Sequence, residues 1–325
     1  MATMTMVEAI RSTLGAELER DERVILLGQD IGVNGGVFRA TEGLQARFGA
    51  DRVVDMPLAE AVIVGSAVGL ACSGLLPVPE LQFLGFGSQA FHQIEGQVAR
   101  MRFRSGGRFP MPMVIRAPFG GPVRAPELHS DAHEAKYANA PGLKVVMPAT
   151  AYDAKGLLAE ALRDPDPVLF CEPLRGYRLI RGEVPEEDYT VPLGVSRLAR
   201  EGDDLMIVTY SAAVVVAEQA AERAAQEGYS VGVLDLRSLV PLDTDGLRDA
   251  VARCGRALVL HEAPLTAGFG AELVATIQEE AFWSLEAPVA RVAAPDTPYP
   301  PGAVEEAYVP GVERVLVAIR AALEA

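Results

Sequence analysis

The sequence predicts an α/β protein with two helix-covered, mostly parallel sheets. Strand-like and helix-like segments alternate along both halves of the chain, which is the order expected of parallel sheets joined by helices. A polar stretch with two prolines separates the halves. The length of 325 residues favours two domains over one.

Short apolar segments predict the strands of the first half, and longer periodic segments predict its helices. The start, MATMTMVEAIRSTLGAELERD, is typical of an amphipathic helix and lacks the basic and apolar regions of a signal peptide. Strands are expected at 24–27, 78–81, 113–116, 144–147 and 168–171, and helices near 60–73, 88–103 and 151–163.

A linker is predicted where RGEVPEEDYTVPL, residues 181–193, is polar and lacks helical periodicity. The proposed division is a first domain at 1–185, a linker at 186–196 and a second domain at 197–325. In the second domain, strands are expected at 205–210, 231–237, 257–262 and 289–292, and helices near 213–226, 245–253, 270–281 and 312–323.

Composition excludes several classes of function. The 44 acidic and 29 basic residues give a net charge of −15, which opposes binding to nucleic acid and leaves a basic protein partner possible. The longest apolar run, near 61–72, is too short to span a membrane. Cys72, Cys171 and Cys254 are far apart in the sequence, which indicates neither a disulfide framework nor a zinc site and fits a reducing cytoplasm.

Glu60 opens an otherwise apolar helix of small residues, MPLAEAVIVGSAVGLACSG. Burial disfavours a charged carboxylate, so an acid in this position can share a proton with a ligand nitrogen. The alternative is an exposed acid that interacts favourably with the positive end of the helix dipole.

Two further candidate segments follow predicted strands, where ligands bind in α/β sheets. In QFLGFGSQAFHQ, Gly85 and Gly87 flank Phe86 and can let backbone and ring approach a planar ligand, although packing at a helix start is the simpler explanation of this segment alone. The later segment APFGGPVRAPELHSDAHEAKYANAPG is long and contains His129 and His133. His129 is a candidate proton or hydrogen-bond donor, and the two histidines would share a face if they were helical and could then bind a metal ion.

Other motifs carry less information. His92 and His261 have no supporting motif and are interpreted as packed or surface side chains. GVNGGVF, residues 32–38, does not match a dinucleotide-binding loop and is interpreted as a loop or interface turn. The sequence also lacks a GxSxG nucleophile motif and a GxxxxGK[ST] phosphate loop.

Several segments in order resemble the β subunit of the thiamine-diphosphate-dependent 2-oxo acid dehydrogenase first component, and bacterial pyruvate dehydrogenase β subunits in particular. They are GQDIGVNGGVFRATEGL, DMPLAEAVIVG, PVPELQFLGF, RSGGRFPMPMVIRAPFGG, PELHSD, PGLKVVMPATAYDAKGLL and LEAPVARVAAPDTPYP. The resemblance extends from residue 4 to about residue 323. It implies a transketolase-like pyrimidine-binding domain followed by a transketolase C-terminal domain.

The resemblance also implies roles for individual residues. Glu60 would hydrogen-bond the aminopyrimidine ring nitrogen of thiamine diphosphate and start the proton shifts that activate the cofactor. Phe86 would stack on the pyrimidine ring, and Gln82 would line the same pocket. His129 would be the active-site histidine that stabilises intermediates and helps to transfer the acyl group to a lipoyl arm.

The family holds the cofactor's diphosphate and Mg²⁺ with a GDG motif of the α subunit, and this chain lacks that motif. The resemblance therefore implies an α2β2 heterotetramer that is active only when the α subunit is present. It also implies K⁺ near Ala161, Asp164 and Asp166, bound largely through backbone carbonyls.

The resemblance implies decarboxylation of pyruvate and acyl transfer to the lipoyl domains of a dihydrolipoyl acyltransferase core, whose peripheral-subunit-binding domain would dock on the β subunit. Two alternatives remain at this stage. CEPLRGYR and EVPEEDY also resemble the subfamily that acts on branched-chain 2-oxo acids such as 2-oxoisovalerate. A non-catalytic assembly subunit is the alternative of another class.

Overall fold

The computed structural model describes residues 1–125 and 127–325. Its first half contains eight strands and eight α-helices. The strands are β1 (Ala2–Thr5), β2 (Val24–Gln29), β3 (Val53–Met56), β4 (Leu76–Glu80), β5 (Val114–Phe119), β6 (Lys144–Val146), β7 (Val168–Pro173) and β8 (Arg181–Val184), and the helices are α1 (Met6–Arg20), α2 (Leu44–Phe48), α3 (Glu60–Cys72), α4 (Phe91–Gln93), α5 (Met101–Arg104), α6 (Glu134–Ala138), α7 (Ala151–Arg163) and α8 (Gly176–Leu179).

The second half repeats the alternation and ends in a helix. Its strands are β9 (Arg197–Arg200), β10 (Leu205–Thr209), β11 (Val231–Asp235), β12 (Ser238–Val240), β13 (Ala257–Pro264) and β14 (Ala290–Ala294), and its helices are α9 (Ala213–Gln226), α10 (Thr244–Cys254), α11 (Phe269–Ala281), α12 (Glu305–Tyr308) and α13 (Val312–Glu324). Within the described residues, no helix has both the length and the hydropathy required to cross a membrane.

The strands confirm the predicted α/β class with mostly parallel sheets. The larger sheet has the order β12-β6-β7-β5-β4-β2-β3, and all its neighbouring strands are parallel except β12 and β6. The second sheet has the order β14-β13-β10-β11-β9, with only β9 antiparallel to its neighbour. Strands β1 and β8 form a separate antiparallel pair.

The two halves of the chain are joined by a common sheet and by a common apolar core. Strand β12 belongs to the second half by sequence but pairs with β6 at the edge of the first sheet, with Ser238 opposite Val146. The largest apolar core also includes side chains from both halves, such as Leu27 and Leu273. Residues 185–196 contain no helix or strand in the structure. The proposed division into two domains with a linker at 186–196 stays a prediction, because the largest apolar core includes residues from both sides of that linker.

Two local predictions were wrong. The helix expected near 88–103 is interrupted: a 3₁₀ turn at Leu84–Ala90, a π turn at Ile94–Val98 and short helices replace it. Gly96 within this span, and Gly85 and Gly87 in the 3₁₀ turn before it, weaken a continuous helix. The first residues of the segment interpreted as a linker form β8, because they pair with β1 near the N-terminus.

A charged cluster joins the halves. Asp153, 1% exposed in the first turn of α7, forms ion pairs with Arg237 (2.7 Å) and with Arg197 (3.7 Å). Arg197 also reaches Asp235 at 3.2 Å. Burial and the nearby Asp153 carboxylate raise the pKa of Asp235 to about 7. The two acids lie close together, and the positive charges of the two arginines offset their repulsion.

We expect Asp153→Ala to lower the free energy of unfolding by roughly 3 kcal/mol, because it leaves Arg237 buried without its ion-pair partner. Urea unfolding followed by circular dichroism measures this loss. The matched control is Asp51→Ala, which removes an exposed aspartate and is expected to change stability by less than about 0.5 kcal/mol. Equal stability of the two variants would contradict the assigned role of Asp153.

Candidate active site

The predicted catalytic residues follow three strands of the first sheet. Glu60 comes after β3, Phe86 after β4 and His129 after β5. These strands and β2 are parallel neighbours in the order β5-β4-β2-β3, so their carboxyl ends lie at one edge of the sheet. Ligands of open α/β sheets bind at this edge.

Glu60 is the first residue of α3 and is only 8% exposed. No side chain caps this helix end, and the described residues give the Glu60 carboxylate no hydrogen bond. The remaining buried residues of α3 are apolar, so the positive end of the helix dipole is the favourable local interaction. A carboxylate without a partner on a nearly buried residue is a fitting acceptor for a hydrogen bond from a ligand.

Aromatic rings form a second part of the site. The Phe86 ring lies 4.8 Å from the His129 ring and 5.4 Å from the Phe83 ring, measured between centroids. Phe83 and His129 are 4.6 Å apart, so the three rings contact one another edge to face. Gln82 is half-buried and directly precedes them, between β4 and the 3₁₀ turn. The structure thus brings Phe86 and His129 together, and α3 packs on the turn that carries Phe86.

The glycines beside Phe86 serve packing within the chain. A Cβ atom on Gly85 would lie 2.0 Å from the Leu128 carbonyl oxygen, and one on Gly87 would lie 2.2 Å from the Tyr137 hydroxyl. The sequence-based suggestion that these glycines admit a ligand therefore needs correction. Gly85 instead allows the backbone next to His129 to press against the turn that carries Phe86.

A buried ion cluster beneath this edge was missed by the sequence reasoning. Arg116 in β5 is 1% exposed and binds Glu172 of β7 through two hydrogen bonds of 2.7 and 2.9 Å. It also binds Glu80 of β4, and Tyr177 donates a hydrogen bond to Glu172. Charged residues inside the apolar strands PVPEL, MVIRAPF and VLFCEP were the available signal. The cluster joins three adjacent strands, from the last residue of β4 through the middle of β5 to Glu172 near the end of β7.

Replacing Arg116 with Met should lower the free energy of unfolding by about 3–5 kcal/mol, because Glu80 and Glu172 would stay buried without a counter-charge. Chemical denaturation measures this change. Arg23→Met, at an exposed ion pair with Asp21, is the control and should cost at most about 1 kcal/mol. A loss for Arg116→Met no larger than the control's would contradict this description of the cluster.

Two acids, Glu262 of the second half and Glu134 of the first, border the same edge. Glu262, in β13, accepts a hydrogen bond from the Gly121 backbone N–H, and burial raises its pKa to about 8. Burial also raises the pKa of Glu134, which accepts a hydrogen bond of 2.7 Å from the Tyr210 hydroxyl. Both acids flank the segment that carries His129, and neither was identified from the sequence.

The histidines do not form the metal site considered above. Helix α6 begins at Glu134, so His129 and His133 both precede it and do not share a helical face. Among the described residues, no cluster of His, Cys, Asp and Glu side chains has the geometry to hold a metal ion. His92 is exposed and His261 is fully buried, which confirms their interpretation as surface and packed side chains. Burial lowers the pKa of His261 to about 4.

Ala161, Asp164 and Asp166 lie elsewhere. They occupy the end of α7 and the segment before β7. Because they precede a strand of the sheet, they lie at the amino ends of the strands, whereas the candidate site lies at the carboxyl ends. Lys144 binds the Asp164 carboxylate at 2.5 Å, and Arg102 pairs with Asp166. Two cations therefore already neutralise these carboxylates, and a K⁺ site here would have to use backbone carbonyls.

Comparison with known proteins identifies the family. Residues 2–178 match the model of the transketolase pyrimidine binding domain, and residues 194–315 match that of the transketolase C-terminal domain. Over 324 residues and the full length of both chains, the sequence is 52% identical to pyruvate dehydrogenase E1 component subunit beta of Bacillus subtilis. The chain belongs to this family of pyruvate dehydrogenase β subunits. Proteins of the same name from Staphylococcus epidermidis and Staphylococcus aureus are 51% identical over the same span.

A solved structure supports the family's fold. A split-gene transketolase, described as an inactive β4 tetramer, superposes with a TM-score of 0.82 over 99% of this chain and 98% of its own. Its sequence identity of 22% limits this likeness to the fold. The relatives named above confirm the resemblance seen in the sequence and favour the pyruvate dehydrogenase assignment over the branched-chain one.

Proposed function

We propose that this chain supplies the pyrimidine-binding half of a thiamine diphosphate site and, with an α subunit, catalyses the oxidative decarboxylation of pyruvate. The reaction ends with acyl transfer to lipoyl groups of a dihydrolipoyl acyltransferase core. Family membership makes the chain part of a thiamine-diphosphate-dependent 2-oxo acid dehydrogenase. The residue assignments that follow are proposals.

The observation that carries the proposal is Glu60. Glu60 is a nearly buried residue at the sheet edge where ligands bind, and no side-chain hydrogen bond caps its end of the helix. A ring nitrogen of the aminopyrimidine would supply the missing partner. Glu60 would hold the shared proton at that nitrogen, and its placement in a poorly hydrated site would strengthen the hydrogen bond.

The aromatic rings fit the same group. Phe86 would stack on the pyrimidine, with Gln82 lining the pocket beside it, and the edge-to-face contact with Phe83 would hold the Phe86 ring in place. His129 contacts the Phe86 ring, and its imidazole nitrogens can donate or accept a hydrogen bond. We assign to His129 the stabilisation of intermediates and the transfer of the acyl group to the lipoyl arm. When bound, thiamine diphosphate supplies a thiazolium ring that accepts the electron pair left by carbon dioxide.

An α subunit would complete the site. This chain lacks the GDG motif that holds the diphosphate and Mg²⁺, so those groups would be bound by the α subunit of an α2β2 heterotetramer. The face of α3 next to Glu60 is apolar and uncovered: Val62 is 50% exposed, and Leu58 just before the helix is 73% exposed. Exposed apolar surface beside an incomplete site is consistent with a subunit interface there.

The remaining assignments rest on the family resemblance. The lipoyl and peripheral-subunit-binding domains of the core would be the other partners, and the net charge of −15 favours a basic docking surface on that core. K⁺ near Ala161, Asp164 and Asp166 would be held by backbone carbonyls. A cytoplasmic location is supported by the separated free cysteines.

Glu60→Gln should assemble normally with the α subunit but lose at least about 100-fold in pyruvate decarboxylation, because an amide cannot exchange the proton. Carbon dioxide release by the co-purified complex measures the activity, and gel filtration measures assembly. Glu313→Gln changes an exposed glutamate in the first turn of α13 and serves as the matched control with near-normal activity. Turnover of Glu60→Gln close to that of the control would refute the role of Glu60.

A further inference from the structure

The segment that carries His129 needs external support. Residues 120–133, here called the His129 loop, join β5 to α6. The loop contains a turn at 127–128, and no other backbone-to-backbone hydrogen bond joins its described residues. Contacts with other parts of the chain therefore contribute to fixing its conformation.

Side chains of the second half hold the first end of the loop. The Gly121 N–H donates to Glu262. A Cβ atom on Gly120 would lie 2.9 Å from both Glu262 carboxylate oxygens, and one on Gly121 would lie 1.9 Å from the Tyr299 hydroxyl. The paired glycines are thus needed because the second half approaches the loop backbone closely.

Glu305 holds the next point of the loop. The Arg124 N–H donates to both Glu305 oxygens, at 2.8 and 3.1 Å, and the Tyr299 hydroxyl donates to the same carboxylate at 3.1 Å. Glu305 is only 2% exposed. Arg124 has φ of 57°, a left-handed conformation that is unfavourable for a side chain of this kind and must be maintained by its surroundings.

The far end of the loop is also anchored. Tyr210, from the second half, donates to Glu134 at the start of α6, and both residues are buried. Between the two anchors, the Leu128 carbonyl faces Gly85 and the His129 ring lies against Phe83 and Phe86. The position of His129 therefore depends on contacts from both halves.

We propose that Glu305 is a positioning residue for His129: by accepting the Arg124 N–H it fixes the loop so that the imidazole stays against Phe86. Glu305 lies on α12 of the second half and is distant in sequence from the loop. The inference rests on the role of His129 given under Proposed function. It adds that the second domain controls acyl transfer through the shape of this loop.

The test uses the assembled complex with the α subunit and four changes: Glu305→Ala, Glu305→Gln, His129→Ala and the double variant Glu305→Ala with His129→Ala. One assay follows acylation of an isolated lipoyl domain. The second follows pyruvate oxidation with ferricyanide, which replaces the lipoyl group as electron acceptor. Hydrogen exchange of peptides within 120–133 reports the loop directly. Glu306→Ala, at the exposed neighbouring glutamate, is the matched control.

Glu305→Ala is expected to lower kcat for lipoyl acylation about tenfold, to change ferricyanide-linked oxidation less than about threefold, and to speed exchange of the loop. Glu305→Gln should restore acylation, because its amide oxygen still accepts the Arg124 N–H. The double variant should be no slower than His129→Ala alone, since Glu305 acts through His129.

Three results would overturn the proposal: wild-type loop exchange in Glu305→Ala, equal losses in both assays, or a full additional loss in the double variant. If Glu305→Ala fails to assemble, Tyr299→Phe removes one partner of the same carboxylate. It should slow acylation about threefold, and an unchanged rate would then overturn the proposal. Unimpaired acylation by His129→Ala would instead refute the role of His129, while loop exchange would still decide whether Glu305 fixes the loop.

Discussion

An arginine buried within the first sheet holds together the strand ends from which the candidate site extends. Arg116 lies opposite Glu80 in the pairing of β4 with β5, and it binds Glu172 on β7. Each partner alone would be a costly buried charge, so the three groups stabilise one another only in this register. Because the segments with Phe86 and His129 begin just beyond β4 and β5, this cluster constrains where those side chains can lie.

The second half of the chain is part of the site's structure. Strand β12 extends the first sheet, and the acids Glu262 and Glu305 accept hydrogen bonds from the backbone of the His129 loop. The second half thereby does more than offer a surface for partners. A shift of this half relative to the first would move the loop, and with it His129.

Local patterns in the sequence were sufficient to predict much of this arrangement. Apolar periodicity predicted most strands and helices, and the order of the segments placed Phe86 and His129 after predicted strands, whereas β3, which precedes Glu60, was not predicted. The chemical roles of these residues came from the family resemblance, because an acid at a helix start and a phenylalanine between glycines are by themselves explained more simply by the helix dipole and by packing.

Long-range contacts could not be predicted in this way. The pairing of β12 with β6 and the hydrogen bonds from Arg124 to Glu305 join residues far apart in the sequence, and no local pattern encodes them. The need for Gly85 similarly depends on a carbonyl that belongs to Leu128. Arg116 was visible as a charge inside an apolar strand, but its two partners lie on other strands.

The central claim is that this chain holds only half of a cofactor site. The most direct measurement is pyruvate decarboxylation with thiamine diphosphate and Mg²⁺, by this chain alone and then by the chain co-purified with its α subunit. We expect activity only in the co-purified complex, because the chain lacks the motif that binds the diphosphate. Comparable activity from the chain alone would contradict it and would mean that the diphosphate is bound within this chain.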